Sequence, residues 1–243
     1  MQQALDRELS WAAQKNVPST ELLERLLDIE AKSLIDRRIE RRIAEAKLPD
    51  RKLLADFDFE FQTGIEKAQI MELAKLDFVR RNQSLVIAGN SGTGKSHLAK
   101  ALLLIGCAQQ FRCRYTTATD MLATLLAGRA DNTIPERLKR YTSPQILLID
   151  EVGFDRLEQE DAKQAALFFK VIDGRYCKGS TLLTTNIDFQ ELGDYLGDPV
   201  ITTALVERLI HHAIIINIQG PSWRIHESKK LNARTKAKGK GKK

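Results

Sequence analysis

Long apolar runs are what this sequence most plainly lacks. Nowhere do its 243 residues offer the unbroken stretch of about 18 that a membrane-spanning helix requires, so a membrane protein is excluded. The N-terminus, MQQALDRELSWAAQ, has no apolar core followed by small residues and carries Asp6 and Glu8 early, which argues against a secretory signal and for a cytoplasmic location. Cysteine is scarce: Cys107, Cys113 and Cys177 are odd in number and show no CxxC spacing. A disulfide framework and a zinc site are both disfavoured, and the three thiols are expected to be reduced and buried. Disorder throughout is excluded by a hydrophobic content of 43% beside 29% charge.

What is present is a net charge of +6 that is unevenly spread. Residues 229–243, KKLNARTKAKGKGKK, hold eight Lys/Arg and no acid, so the rest of the chain has two more acids than bases. A Lys-Gly alternation cannot bury apolar surface and is expected to be a disordered basic tail, a solubilising extension or a contact for nucleic acid.

Two regions precede that tail. Over residues 1–48, Leu22, Leu23, Leu26, Leu27, Leu34, Ile35, Ile39 and Ile43 recur at three- and four-residue steps, and Ser19-Thr20-Glu21 after Pro18 reads as a helix start. Arg37, Arg38, Arg41 and Arg42 add a basic patch to this helical region, which is placed as a small domain over 1–50. Leu54 to Phe61, LADFDFEF, reads as an extended linker that docks on the next domain. From residue 84 onward, short apolar runs at 84–88, 113–117, 145–150, 180–185 and 213–218 alternate with amphipathic stretches. That alternation predicts an α/β domain over 51–228 with a five-stranded parallel sheet. Residues 119–142 read as two helices; their Arg129, Arg137, Lys139 and Arg140 are candidate phosphate contacts or a solvated face.

Three strand ends carry the chemistry. Gly89, Asn90, Ser91, Gly92, Thr93, Gly94, Lys95 and Ser96 match GxxxxGK[ST] between an apolar strand and a helical run. Such a loop turns backbone N–H groups toward phosphates at a helix N-terminus, with Lys95 reaching the β- and γ-phosphates and Ser96 placed for Mg²⁺. The run ILLIDEV ends in Asp150, a second candidate for Mg²⁺, and Glu151, a candidate base for the attacking water. At the end of the fourth run, Asn186 is placed either to sense the γ-phosphate or to cap a helix starting near Asp188. His211 and His212 are adjacent and point about 100° apart on a helix, a poor arrangement for sharing a metal.

With these motifs in this order, the chain resembles an AAA+ P-loop ATPase, and looks most like the IstB-like ATPases that serve insertion-sequence transposases and the related DnaC-type helicase loaders. The marks are LADFDF, GNSGTGKSHLA, ILLIDEVGF, STLLTTN and GDPVITTALVERLIHHAIIINIQGPSWR, covering about Leu53 to Glu227. The resemblance implies Walker A at Gly89 to Ser96, Walker B at Asp150 and Glu151, sensor 1 at Asn186 and an arginine finger at Arg208 serving a neighbouring subunit. A surface ion pair with an acid such as Glu207 is the alternative for Arg208, and Arg175 is a rival finger. It also implies no C-terminal helical lid, with Arg224 able to stand in for a second sensor or to touch DNA. The implied activity is hydrolysis of ATP with Mg²⁺ in a ring or spiral oligomer on duplex DNA that assists a cognate transposase in target selection. The alternative is a DnaC-like loader whose partner is a replicative helicase and whose preference is single-stranded DNA.

Overall fold

A computed structural model describes residues 2–153, 162–187 and 199–230. Two helices open the chain, α1 (Gln2–Lys15) and α2 (Ser19–Ala46), the second starting at the predicted serine. They are joined by an ion pair of a buried acid with a half-exposed base: Glu8 is 3% exposed and receives Arg25 at 2.9 Å, and the Arg25 guanidinium lies 3.8 Å from the Trp11 ring. Arg25 and Arg7 hold the Glu8 carboxyl below the usual carboxylate range against the opposing effect of desolvation. α2 is 28 residues long, about 42 Å at 1.5 Å per residue. Leu23 and Leu27 near its start are exposed, whereas Ile43 and Ala46 near its end are buried against the α/β core.

Beyond α2 the linker forms a 3₁₀ turn at Leu54–Asp56, then short helices α3 (Lys67–Leu73) and α4 (Asp77–Arg80). The α/β unit comprises β1 (Ser84–Gly89), α5 (Lys95–Ala108), β2 (Cys113–Thr117), α6 (Ala118–Ala130), α7 (Ile134–Thr142), β3 (Ile146–Val152), α8 (Ala162–Arg175), β4 (Ser180–Thr185), α9 (Pro199–Ile210) and β5 (Ala213–Ile218). A last described helix covers 223–230. The five strands are parallel in the order β2-β3-β4-β1-β5. Right-handed crossovers in a parallel sheet place helices on both faces, which is why the strands read as unbroken apolar runs.

Side-chain alternation divides the core in two. Leu85, Ile87, Ile146, Leu148 and Leu182 pack with α5 and the end of α2, whereas Val86, Leu147, Ile149 and Leu183 pack with α6, α8 and α9. With successive strand residues facing opposite ways, every second residue of one run serves each layer.

Several expectations need correction. Cys107 and Cys113 are buried free thiols, but Cys177 is exposed, because it sits in the turn after α8 with φ 57°. Arg175 cannot act as a finger: it is 1% exposed, and its guanidinium donates to the carbonyls of Tyr141 and Pro144 at 2.8 Å and Ser180 at 2.6 Å, and to Thr181 Oγ1 at 2.9 Å. Burial pulls its pKa down to about 10, yet a fifth bond, to the Gln145 carbonyl at 3.4 Å, completes a shell of oxygens that keeps the cation in place without a carboxylate. Arg137 is likewise committed internally, to Thr124 O, Thr133 Oγ1 and Asp131, while Arg129, Lys139 and Arg140 are exposed. The helix that Asn186 is expected to cap, starting near Asp188, and most of the basic tail lie outside the described residues.

Candidate functional site

At the C-terminal edge of the sheet lies a cleft of about 470 Å³ lined by Ser91 to Ser96, Glu151, Asn186 and Arg224. Gly89 ends β1, and the loop after it wraps over the first turn of α5, so the amides of that turn face the cleft. Gly92 (φ 81°) and Gly94 (φ 94°) adopt backbone angles that side-chain-bearing residues avoid. Close approach forbids a side chain as well: a Cβ at Gly94 would lie 2.6 Å from Phe57, and one at Gly92 would collide with Ser222.

Those two contacts show that the loop is braced from both ends of the chain. On the N-terminal side, Gln62 is buried and its Nε2 donates to Thr93 O at 2.9 Å and Pro221 O at 3.3 Å. From the C-terminal side, the Trp223 N–H donates to Gly92 O at 2.9 Å. Phe61 and Trp223 meet edge-on at 5.0 Å, closing the two braces on each other. The stretch expected to dock as a linker therefore sits directly on the phosphate loop.

Within the loop, the Lys95 ammonium donates to the carbonyls of Gly89 at 2.7 Å and Asn90 at 2.8 Å. Burial draws its pKa below the ordinary lysine value, an effect that Asp150 opposes and Arg224 reinforces. Ser96 Oγ donates to Asp150 Oδ1 at 2.8 Å, so the loop and β3 meet at that carboxylate. Asp150 is 1% exposed, whereas Glu151 is exposed on the cleft wall.

Three neighbours of this centre are given no role by the motifs. Thr184 Oγ1 donates to Asp150 Oδ1 at 2.5 Å and accepts the Glu151 N–H at 2.9 Å. Tyr115, on β2, donates to Asp150 Oδ2 at 3.4 Å, and burial beside that acid pushes its phenol pKa up. Lys100 lies 5.3 Å from the Tyr115 ring and pairs with Asp50 at 2.9 Å, linking the residues after α2 to the back of the site. Only the strand-end position of Thr184 is a signal; nothing in the spacing of Tyr115, Gln62 or Lys100 distinguishes them from core or surface residues.

Arg208 is not among the residues lining the cleft. It projects from α9, pairs with Asp173 of α8 at 3.0 Å rather than with Glu207, and lies 4.7 Å from the Phe169 ring. The Tyr176 hydroxyl meets His211 Nδ1 at 2.7 Å, and no metal-binding cluster occurs among the described residues.

A glycine-rich loop between β1 and α5, the acid-ended strand β3 reaching it through Ser96 and the sheet order β2-β3-β4-β1-β5 define an AAA+ P-loop ATPase. The chain belongs to the IstB-like ATP binding protein family, whose model matches residues 1–231. It is 36% identical over 228 residues to the insertion sequence IS21 putative ATP-binding protein of Pseudomonas aeruginosa, covering 94% of this chain and 85% of that one. It is 35% identical over 227 residues to the insertion sequence IS232 putative ATP-binding protein of Bacillus thuringiensis subsp. berliner, covering 93% and 90%. Among solved structures, AMPPCP-bound DnaA from Aquifex aeolicus shares the fold with a TM-score of 0.57 at 20% identity, over 71% of this chain and 51% of that one. The DnaC helicase loader does so with a TM-score of 0.53 at 22% identity, over 63% and 87%. No described helix is long and apolar enough to cross a membrane.

Proposed function

We propose that this ATPase is an insertion-sequence helper: it assembles with ATP on duplex DNA, and assists a transposase in choosing and using its target. The observation that carries this reading is the match to insertion-sequence ATP-binding proteins along nearly the whole chain, the two N-terminal helices included. An α/β core alone would fit many nucleotide-driven machines.

In the mechanism we infer, the amides of Gly92 to Ser96 and the N-terminus of α5 bind the phosphates, and Lys95 leaves the carbonyls of Gly89 and Asn90 for the γ-phosphate. Ser96 Oγ, which lines the cleft, and the buried Asp150 Oδ1 2.8 Å behind it are hard oxygen donors that fit Mg²⁺. When bound, that ion would neutralise charge on the triphosphate oxygens. Glu151, exposed on the cleft wall, orients water and takes its proton, and Asn186 at the end of β4 hydrogen-bonds the γ-phosphate. In cytoplasmic ring or spiral assemblies, Arg208 serves the nucleotide of the neighbouring subunit, where a finger is worth about 10³ to 10⁵ in rate. Mixing subunits carrying Arg208→Ala with subunits carrying Lys95→Ala should then restore some ATP hydrolysis, because one interface in the mixture has both parts. Complete inactivity at every ratio counts against a finger acting in trans.

The helper reading is tested by imaging particles with ATP and either duplex or single-stranded DNA. Rings or spirals on duplex are the expected result. Preference for single strands would instead make this a DnaC-like loader with a replicative helicase as its partner.

A further inference from the structure

The pairing of β3 with β4 steps from Ile149↔Leu183 to Val152↔Thr185, so Asp150 and Glu151 together face the single residue Thr184. This is a β-bulge, and Glu151 in it takes the left-handed backbone with φ 62°. Packing records its effect. Ile146 and Leu148 lie in the layer of α5, and strict alternation would return Val152 to that layer; instead Val152 packs with Leu147 and Ile149 on the other side. A regular strand would send the consecutive carboxylates of Asp150 and Glu151 to opposite faces of the sheet. The bulge keeps both at one site, with Asp150 buried on Ser96 and Glu151 exposed on the cleft wall.

Such a turn of backbone is costly for a residue with a Cβ and persists only when its surroundings fix it. Thr184 supplies the fixing groups. Its hydroxyl has one proton, which goes to Asp150 Oδ1 at 2.5 Å, and it accepts the Glu151 N–H at 2.9 Å. The first is a charge-assisted bond of the short O–H···O⁻ kind, and the residue is 1% exposed, so water does not compete for either bond. Thr185, one residue on, turns its own hydroxyl toward Ile187 and touches neither acid.

We propose that Thr184 is a positioning residue for ATP hydrolysis: its hydroxyl locks the bulge that sets the buried Asp150 behind Ser96 and turns Glu151 to the cleft wall. The inference rests on the roles given to those acids above. Thr184→Val keeps the shape and removes both bonds. It should lower kcat by about 10- to 100-fold, as loss of an outer-shell partner does, with KM for ATP changed less than about threefold. It should also raise the Mg²⁺ concentration needed for half-maximal binding of a fluorescent ATP analogue, a readout independent of turnover, while Thr184→Ser restores both values. A buried hydroxyl with a merely structural role would shift the melting temperature and leave the Mg²⁺ dependence alone. Parental kcat and parental Mg²⁺ dependence in Thr184→Val overturn the proposal. Should valine disturb packing, Thr184→Ser and Thr184→Ala lose the same methyl and differ in the hydroxyl; equal rates for that pair also overturn it. Asp150→Asn and Glu151→Gln are measured alongside. If they hydrolyse ATP normally, the assigned acids are wrong; if they are inactive and Thr184→Val is not, only the role of Thr184 falls.

Discussion

Glu151→Gln is expected to slow ATP hydrolysis by about 10² to 10⁴, the contribution of a positioned general base, while ATP binding stays within about threefold of the parent. Glutamine keeps the size of the side chain, and the backbone N–H that bonds Thr184 is untouched, so the bulge survives. What is lost, on the proposed mechanism, is the group that takes the proton from the attacking water. Since Asp150, Ser96 and the loop remain, the ATP-bound state still forms and accumulates. On duplex DNA this variant should therefore stay assembled for much longer than the parent protein, which is checked by dissociation after dilution and by phosphate release. Rapid phosphate release would rule out Glu151 as the base.

Lys95→Ala should have the opposite profile, with nucleotide binding itself lost. A buried hydrogen bond to a charged group is worth about 1.5–3 kcal/mol, and an ammonium bridging two phosphates makes more than one, so the dissociation constant should rise by at least about 100-fold. Titration with a fluorescent ATP analogue measures it, and an unchanged affinity contradicts the cradle. The fold should hardly notice, because the bonds from Lys95 run to carbonyls of its own loop and burial already disfavours its charge. A melting temperature near that of the parent would separate the loss of binding from loss of structure.

The sheet is legible in the sequence because its strands are buried on both faces. Five apolar runs locate β1 to β5 to within two residues, and Pro18 before Ser19 marks the start of α2. The phosphate loop is legible because its glycines and lysine are demanded by backbone angles and charge at fixed spacing. What spacing cannot report is whether a polar side chain faces a carbonyl or water. Arg175 reads as a rival finger, yet it is a buried strut holding α8 to the strand ends through backbone oxygens. Gln62 and Tyr115 carry no pattern, because each matters through one partner distant in sequence, Thr93 in one case and Asp150 in the other. The bulge at Asp150 and Glu151 is hidden for a different reason: β3 is apolar on both faces, so no alternation marks its register and a slip at its last residues leaves no trace in the sequence.

Gln62 and Trp223, gripping Thr93 and Gly92 from opposite ends of the chain, set a lower bound on what counts as the nucleotide-binding unit. A fragment trimmed to Ser84–Ile218 would contain every fixed position of the signature and all five strands, and yet its phosphate loop would lie bare on both flanks. The grip also runs outward. Any force on the helix over 223–230, or on the strap between Leu54 and Gln62, reaches the carbonyls of the cradle through a single hydrogen bond. A displacement at either flank would therefore arrive first at the carbonyls of Gly92 and Thr93.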